Sequence, residues 1–75
     1  MFSADIQQKL RKKGFELTCN EENIWVKEVG DQSVTISGDD NLIDAIWQTF
    51  EGEFEEISSP RINEIIIWSN RKLEE

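Results

Sequence analysis

At 75 residues the chain forms a single domain, residues 1–75, around one core, and the absence of histidine removes the commonest general base and zinc ligand. Sixteen acidic against eight basic residues give a formal charge of −8, which repels nucleic-acid backbones and anionic membranes at long range. The lone Cys19 allows no internal disulfide, and the chain has neither an export signal at its start nor a window of about 18 apolar residues, so a reducing, cytoplasmic location is expected.

Ser3 is a good N-cap, Ala4 to Lys13 is rich in helix formers, and Gly14 supplies a stop, which places a first helix at 4–13. Phe2, Ile6 and Leu10 give it a thin apolar stripe, and Lys9, Arg11, Lys12 and Lys13 load the end that favours cations. From Phe15 the period changes to two, with Phe15, Leu17 and Cys19 on one side of a strand. After the turn Asn20-Glu21-Glu22-Asn23, Ile24 to Val29 reads as a second strand; Gly30-Asp31 is a turn, and Ser33 to Ser37 reads as a third.

Gly38-Asp39-Asp40-Asn41 breaks this sheet, and Asn41 with Asp44 has the spacing of a capping box. Leu42, Ile43, Ile46, Trp47, Phe50, Phe54 and Ile57 fall on one arc of a helical wheel, so a second helix is expected over 41–56, crossing Gly52. Pro60 at a first helical position, Glu64 early and Arg71 and Lys72 late suggest a last helix over 60–73; the β-branched Ile65-Ile66-Ile67 leaves a buried strand as the alternative. The expected fold is thus α+β, a three-stranded antiparallel meander with helices packed on one face, in the order α-β-β-β-α-α. Its expected core is Phe15, Leu17, Val26, Val34, Ile36, Leu42, Ile46, Trp47 and Phe50.

Without histidine no Ser-His or Cys-His nucleophile pair exists, and Cys19 shares the apolar side of its strand with Phe15 and Leu17, as a buried inert thiol does. Asp39-Asp40 lacks the spacing of a calcium loop, and Gly30 and Gly38 stand outside any phosphate-cradling run. The expectation is therefore no catalytic residue, no cofactor and no metal: a protein that is not an enzyme.

On the expected second helix, Asp40, Asp44, Glu51 and Glu55 share a stripe opposite the apolar arc, with Glu53 and Glu56 nearby and no basic residue between Asp39 and Glu56. A solvated face that keeps the protein soluble explains such a stripe, but those faces mix both signs, and this one bears uncompensated like-charge repulsion. Trp25 is out of phase with Ile24 and Val26, so one face of its strand presents large apolar groups: either Trp25 is core, or it joins Ile67 and Trp68 in a contact surface.

The succession helix, Lys12-Lys13-Gly14-Phe15, three strands and helix over residues 3–50 resembles the layout of the HicA-type mRNA interferase toxins. That family's catalytic histidine and glycine-serine stretch are replaced here by Glu21-Glu22-Asn23-Ile24-Trp25, so the resemblance implies the α-β-β-β-α order and transfers no active residue. In size and charge the chain is similar to small phage-encoded inhibitors, anti-CRISPR proteins among them.

The expected function is that of a small acidic protein-binding module whose partner is a protein with a basic surface, contacted through Asp40, Asp44, Glu51 and Glu55, in the manner of an inhibitor that mimics nucleic acid. Neither direct nucleic-acid binding nor a membrane is expected. The alternative is a self-associating subunit, a homodimer or a component of a larger assembly, that binds through Trp25, Ile67 and Trp68.

Overall fold

The computed structural model describes residues 1–74 and has the order α1 (Ala4–Lys12), β1 (Glu16–Cys19), β2 (Ile24–Val29), β3 (Gln32–Asp39), β4 (Leu42–Thr49), β5 (Phe54–Ser59) and α2 (Ile62–Glu74). All five strands form one antiparallel sheet in sequential order, a continuous meander with a helix at each end of the chain. The expected three-stranded sheet and the α-β-β-β-α-α order are therefore wrong, as is the α-β-β-β-α order implied by the resemblance to the toxins. Residues 42–59 are a β-hairpin, and no helix spans 41–56.

The reason lies in which side chains find a partner. In the register of β3 and β4, Val34 stands opposite Trp47, Ile36 opposite Ala45 and Gly38 opposite Ile43. Ile43 and Ala45 are fully buried, while Leu42 and Ile46 are exposed, which is the alternation of a strand rather than the arc of a helix. A helix over this stretch would have buried Leu42, Ile46 and Phe50 together; instead Phe50 is 91% exposed at the tip of the β4–β5 turn. That turn is held by the Thr49 amide donating to the Glu53 carbonyl, with Gly52 at φ 101°.

The sheet is covered on one side only. Leu17, Trp25, Ile36, Ala45 and Ile57 form a transverse row on that side, and α1 and α2 complete the core with Phe2, Ile6, Leu10, Ile62, Ile65, Ile66 and Leu73. Of the expected core, Phe15, Val34 and Ile36 are buried, Leu17 and Trp47 pack at its margin, and Val26, Leu42 and Ile46 face away from the helices. Trp25 is the largest fully buried side chain. Its indole Nε1 donates to Asn23 Oδ1 (3.0 Å), Asn23 Nδ2 donates to the Gly38 carbonyl (2.9 Å), and the Arg11 guanidinium lies 5.0 Å from its ring centroid. Asn23, itself buried and left-handed at φ 56°, thereby ties the β1–β2 turn to β3.

Gly38 adopts φ 110°, and a Cβ there would lie 2.4 Å from the Leu42 carbonyl oxygen. Gly38→Ala combines a forbidden backbone conformation with a collision against backbone, so it should lower the unfolding free energy by about 2 kcal/mol or more. Urea denaturation measures this, and a wild-type midpoint would show that the turn rearranges freely.

The β5–α2 junction is fastened by polar groups. Ser59 Oγ accepts from the Arg61 amide (3.1 Å) and donates to Glu64 Oε2 (2.8 Å), while Arg61 Nη1 donates to Glu64 Oε1 (2.8 Å). The Ser59 hydroxyl, then the Arg61 guanidinium, hold the Glu64 carboxyl below its ordinary range. A depressed folded-state value stabilises the fold above the unfolded-state value and loses that contribution as pH falls through the folded one. Glu64→Gln should therefore lower the melting temperature at pH 7, and the gap to wild type should narrow below about pH 4.3. A gap of constant size down to pH 2.5 would remove the carboxylate from this account.

Candidate docking face of the sheet

Among the described residues nothing packs on the side of the sheet away from the helices. Alternation and register place on it Glu16, Val26, Thr35, Ile46 and Glu56 as one row, Glu28, Ser33, Gln48 and Phe54 as a second, and Ser37, Asp44 and Ser58 as a third. Asp39 and Leu42 form a further pair at one end of β3 and β4. Its apolar members include the exposed Leu42, Ile46 and Phe54, and the exposed Phe50 lines a cleft together with Glu28, Ser33 and Gln48.

Charge is divided between the two sides. Lys9, Arg11, Lys12, Lys13, Arg61, Arg71 and Lys72 lie on α1, α2 or the residues flanking them. The remaining base, Lys27, points to the helices: its Nζ donates to Asn70 Oδ1 (3.1 Å) and stands 5.9 Å from the Phe15 ring. The uncovered face carries Glu16, Glu28, Asp39, Asp44 and Glu56 and no base at all. Among the described residues all three ion pairs, Asp5–Lys9, Arg61–Glu64 and Glu55–Lys72, lie on the helical side. The carboxylates of the open face thus have no cation beside them.

The residues singled out from the sequence do not form one site. Asp40 sits in the β3–β4 turn, where its carboxylate accepts from the Ser3 amide (2.9 Å). Asp44 is on the open face and accepts from the Ser58 hydroxyl. Glu51 lies in the β4–β5 turn at the opposite end of the sheet. Glu55 is on the helical side, paired with Lys72. The expected acidic rod does not exist, because the segment that was to carry it is a hairpin whose alternation sends Asp44 and Glu55 to opposite sides.

The expected contact surface of Trp25, Ile67 and Trp68 is also dispersed. Trp25 is fully buried, Trp68 packs against the core with Lys72 Nζ 6.0 Å from its ring, and only Ile67 is well exposed, at 53%. Glu16 and Glu28 carried no weight in the sequence pattern and Glu56 counted only as a neighbour of the stripe; for Glu28 and Glu56 the signal was the absence of any Lys or Arg from residue 28 to 60, a span with nine acidic residues. Only its middle was read, and as one face of a helix.

Among the described residues no group of three or more acidic or cysteine side chains is placed to hold a metal ion, and no helix is long and apolar enough to cross a membrane. The Cys19 thiol is free and half-buried at the end of β1. No protein-family model matches the chain, and no curated protein or solved structure matches it significantly.

Proposed function

We propose that this chain is a non-enzymatic binding module that docks on a basic surface of a protein partner through the open face of its sheet. The observation that carries this reading is the segregation of charge: five acids and no base on the uncovered face, every base on the helical side. A face meant only for solubility mixes both signs, and a stable sheet face left without cover keeps few apolar groups; this one keeps Ile46, Leu42 and Phe54 between its carboxylates. Apolar contacts hold a partner and unpaired carboxylates choose it, since each would lose a solvated state only where a cation replaces water.

A basic groove that otherwise holds nucleic acid has the complementary charge, so occupation of such a groove makes the chain an inhibitor by competition. The lone free thiol suits action in the reducing cytoplasm. The test is capture of the partner from the native host by the tagged chain at low salt, followed by release with salt or with added nucleic acid. A partner held equally well at 0.05 and 1 M salt would end the electrostatic reading.

A further inference from the structure

The two edges of the sheet differ. β1 is four residues long and irregular: its pairing with β2 shifts between Leu17 and Cys19, and the Thr18 hydroxyl donates to the Ile24 carbonyl (3.2 Å). Short length and a bulge are how proteins blunt an edge against adding strands. β5 has six residues in unbroken register with β4, no bulge, and no Pro, Lys or Arg between Phe54 and Ser59. It is an edge left able to accept a strand.

Which backbone groups are free follows from the ladder. The Thr49 amide donates to the Glu53 carbonyl, so by antiparallel alternation Glu53, Glu55, Ile57 and Ser59 turn their amides and carbonyls to β4. Phe54, Glu56 and Ser58 turn theirs outward, and their side chains are those of the open face. An incoming strand therefore meets Phe54, Glu56 and Ser58 on one side. On the other it meets Glu55, already neutralised by Lys72, half-buried Ile57 and buried Ser59.

We propose that β5 is the site where the partner adds a strand, and that this strand is an antiparallel segment alternating basic residues on the open-face side with apolar residues on the helical side. The inference rests on the open-face reading and specifies how the partner engages it: three outward backbone positions supply hydrogen bonds, Glu56 selects a cation, and Ile57 extends the core to an apolar neighbour. A second copy of this chain is a poor occupant. Two β5 strands paired about a twofold axis at Glu56 set their Glu56 carboxylates directly opposite each other with no cation on the open side.

The probe is a capped decapeptide alternating lysine and valine, added to the full chain at low salt. Antiparallel pairing directs the lysine amides at β5, so N-methylation of the lysines removes those donors and keeps the charge, while N-methylation of the valines leaves them intact. The parent and valine-methylated peptides should bind alike and slow hydrogen exchange at the Phe54, Glu56 and Ser58 amides; the lysine-methylated one should bind about tenfold or more weakly, as loss of two to three hydrogen bonds implies. Equal binding by the lysine-methylated peptide overturns strand addition while leaving the open-face reading standing. No binding by the parent peptide, or a chain that is already a β5-paired dimer in light scattering and exchange, also overturns it. The open-face reading is judged separately, by charge reversal against an intact basic protein.

Discussion

Trp25→Ala should cost about 3–5 kcal/mol. A domain of this size is held by roughly 4–11 kcal/mol in all, at 0.05–0.15 kcal/mol per residue, so the loss takes a large share of the total. Three effects combine at this position. The indole is fully buried in the row Leu17, Trp25, Ile36, Ala45 and Ile57, and neighbours held in strands collapse only partly into the space it leaves. Asn23 Oδ1 loses its donor inside the core, and an unmade buried hydrogen bond adds about 1–3 kcal/mol of penalty, part of which the truncation figure already contains. Arg11 loses the ring it lies over, loosening α1. Trp25→Phe replaces the bicyclic indole with one six-membered ring, leaving a smaller cavity but still stripping Asn23 of its donor, so it should lose about 2–3 kcal/mol. Ile67→Ala, at a site 53% exposed, should lose less than about 0.5 kcal/mol. Urea denaturation of the three variants decides the matter; a Trp25→Ala loss below 1 kcal/mol would mean that the sheet packs differently from the register described.

How much of this was legible in the sequence depends on the segment. α1 was legible because Ser3 and Gly14 bracket it and its last turn is basic, and β1 to β3 because their alternation is local and their turns carry Asn23 and Gly30. α2 was legible from Pro60, Glu64 and Arg71, in spite of three consecutive isoleucines. Residues 42–59 misled because Leu42, Ile43, Ile46, Trp47, Phe50 and Phe54 are all large and apolar, and a helical wheel collects them more easily than a strand does. What a strand leaves over, Leu42, Ile46 and Phe54, sits on an uncovered face, and no local rule expects a sheet to expose such side chains on the side away from its helices. Ala45, small and fully buried opposite Ile36, was the residue that decided the strand, and its size gave it no weight in a hydrophobic pattern. Asp39 deceived in the same way. Its side chain accepts from the Asn41 and Leu42 amides (2.8 and 3.0 Å), the chemistry of a helix cap used here to close a hairpin. The candidate site followed the fold: once the rod became a hairpin its acids dispersed, and the charge asymmetry survived in a different place.

Reversal of four open-face acids, Glu16, Glu28, Asp44 and Glu56 to Lys, should reduce association with a basic partner by 10- to 10³-fold at low salt, the range over which electrostatic steering acts. The substitution also takes the formal net charge from −8 to neutrality, so net charge must be separated from placement. A matched variant reverses Glu21, Glu22, Asp31 and Glu51, four acids in turns, and reaches the same neutrality. If the open face is the docking surface, the turn variant should weaken binding by less than about threefold at 0.15 M salt, where charges more than about 8 Å from the contact are largely screened. None of the four open-face carboxylates is held in an ion pair, and only Asp44 bonds another side chain, the Ser58 hydroxyl, so stability should change little and unfolding by urea serves as the control. Equal weakening by the two variants would mean that the partner responds to the overall field of the molecule. Placement on an uncovered sheet would then be incidental to binding, since only contact at short range can tell one set of four carboxylates from another of the same total charge.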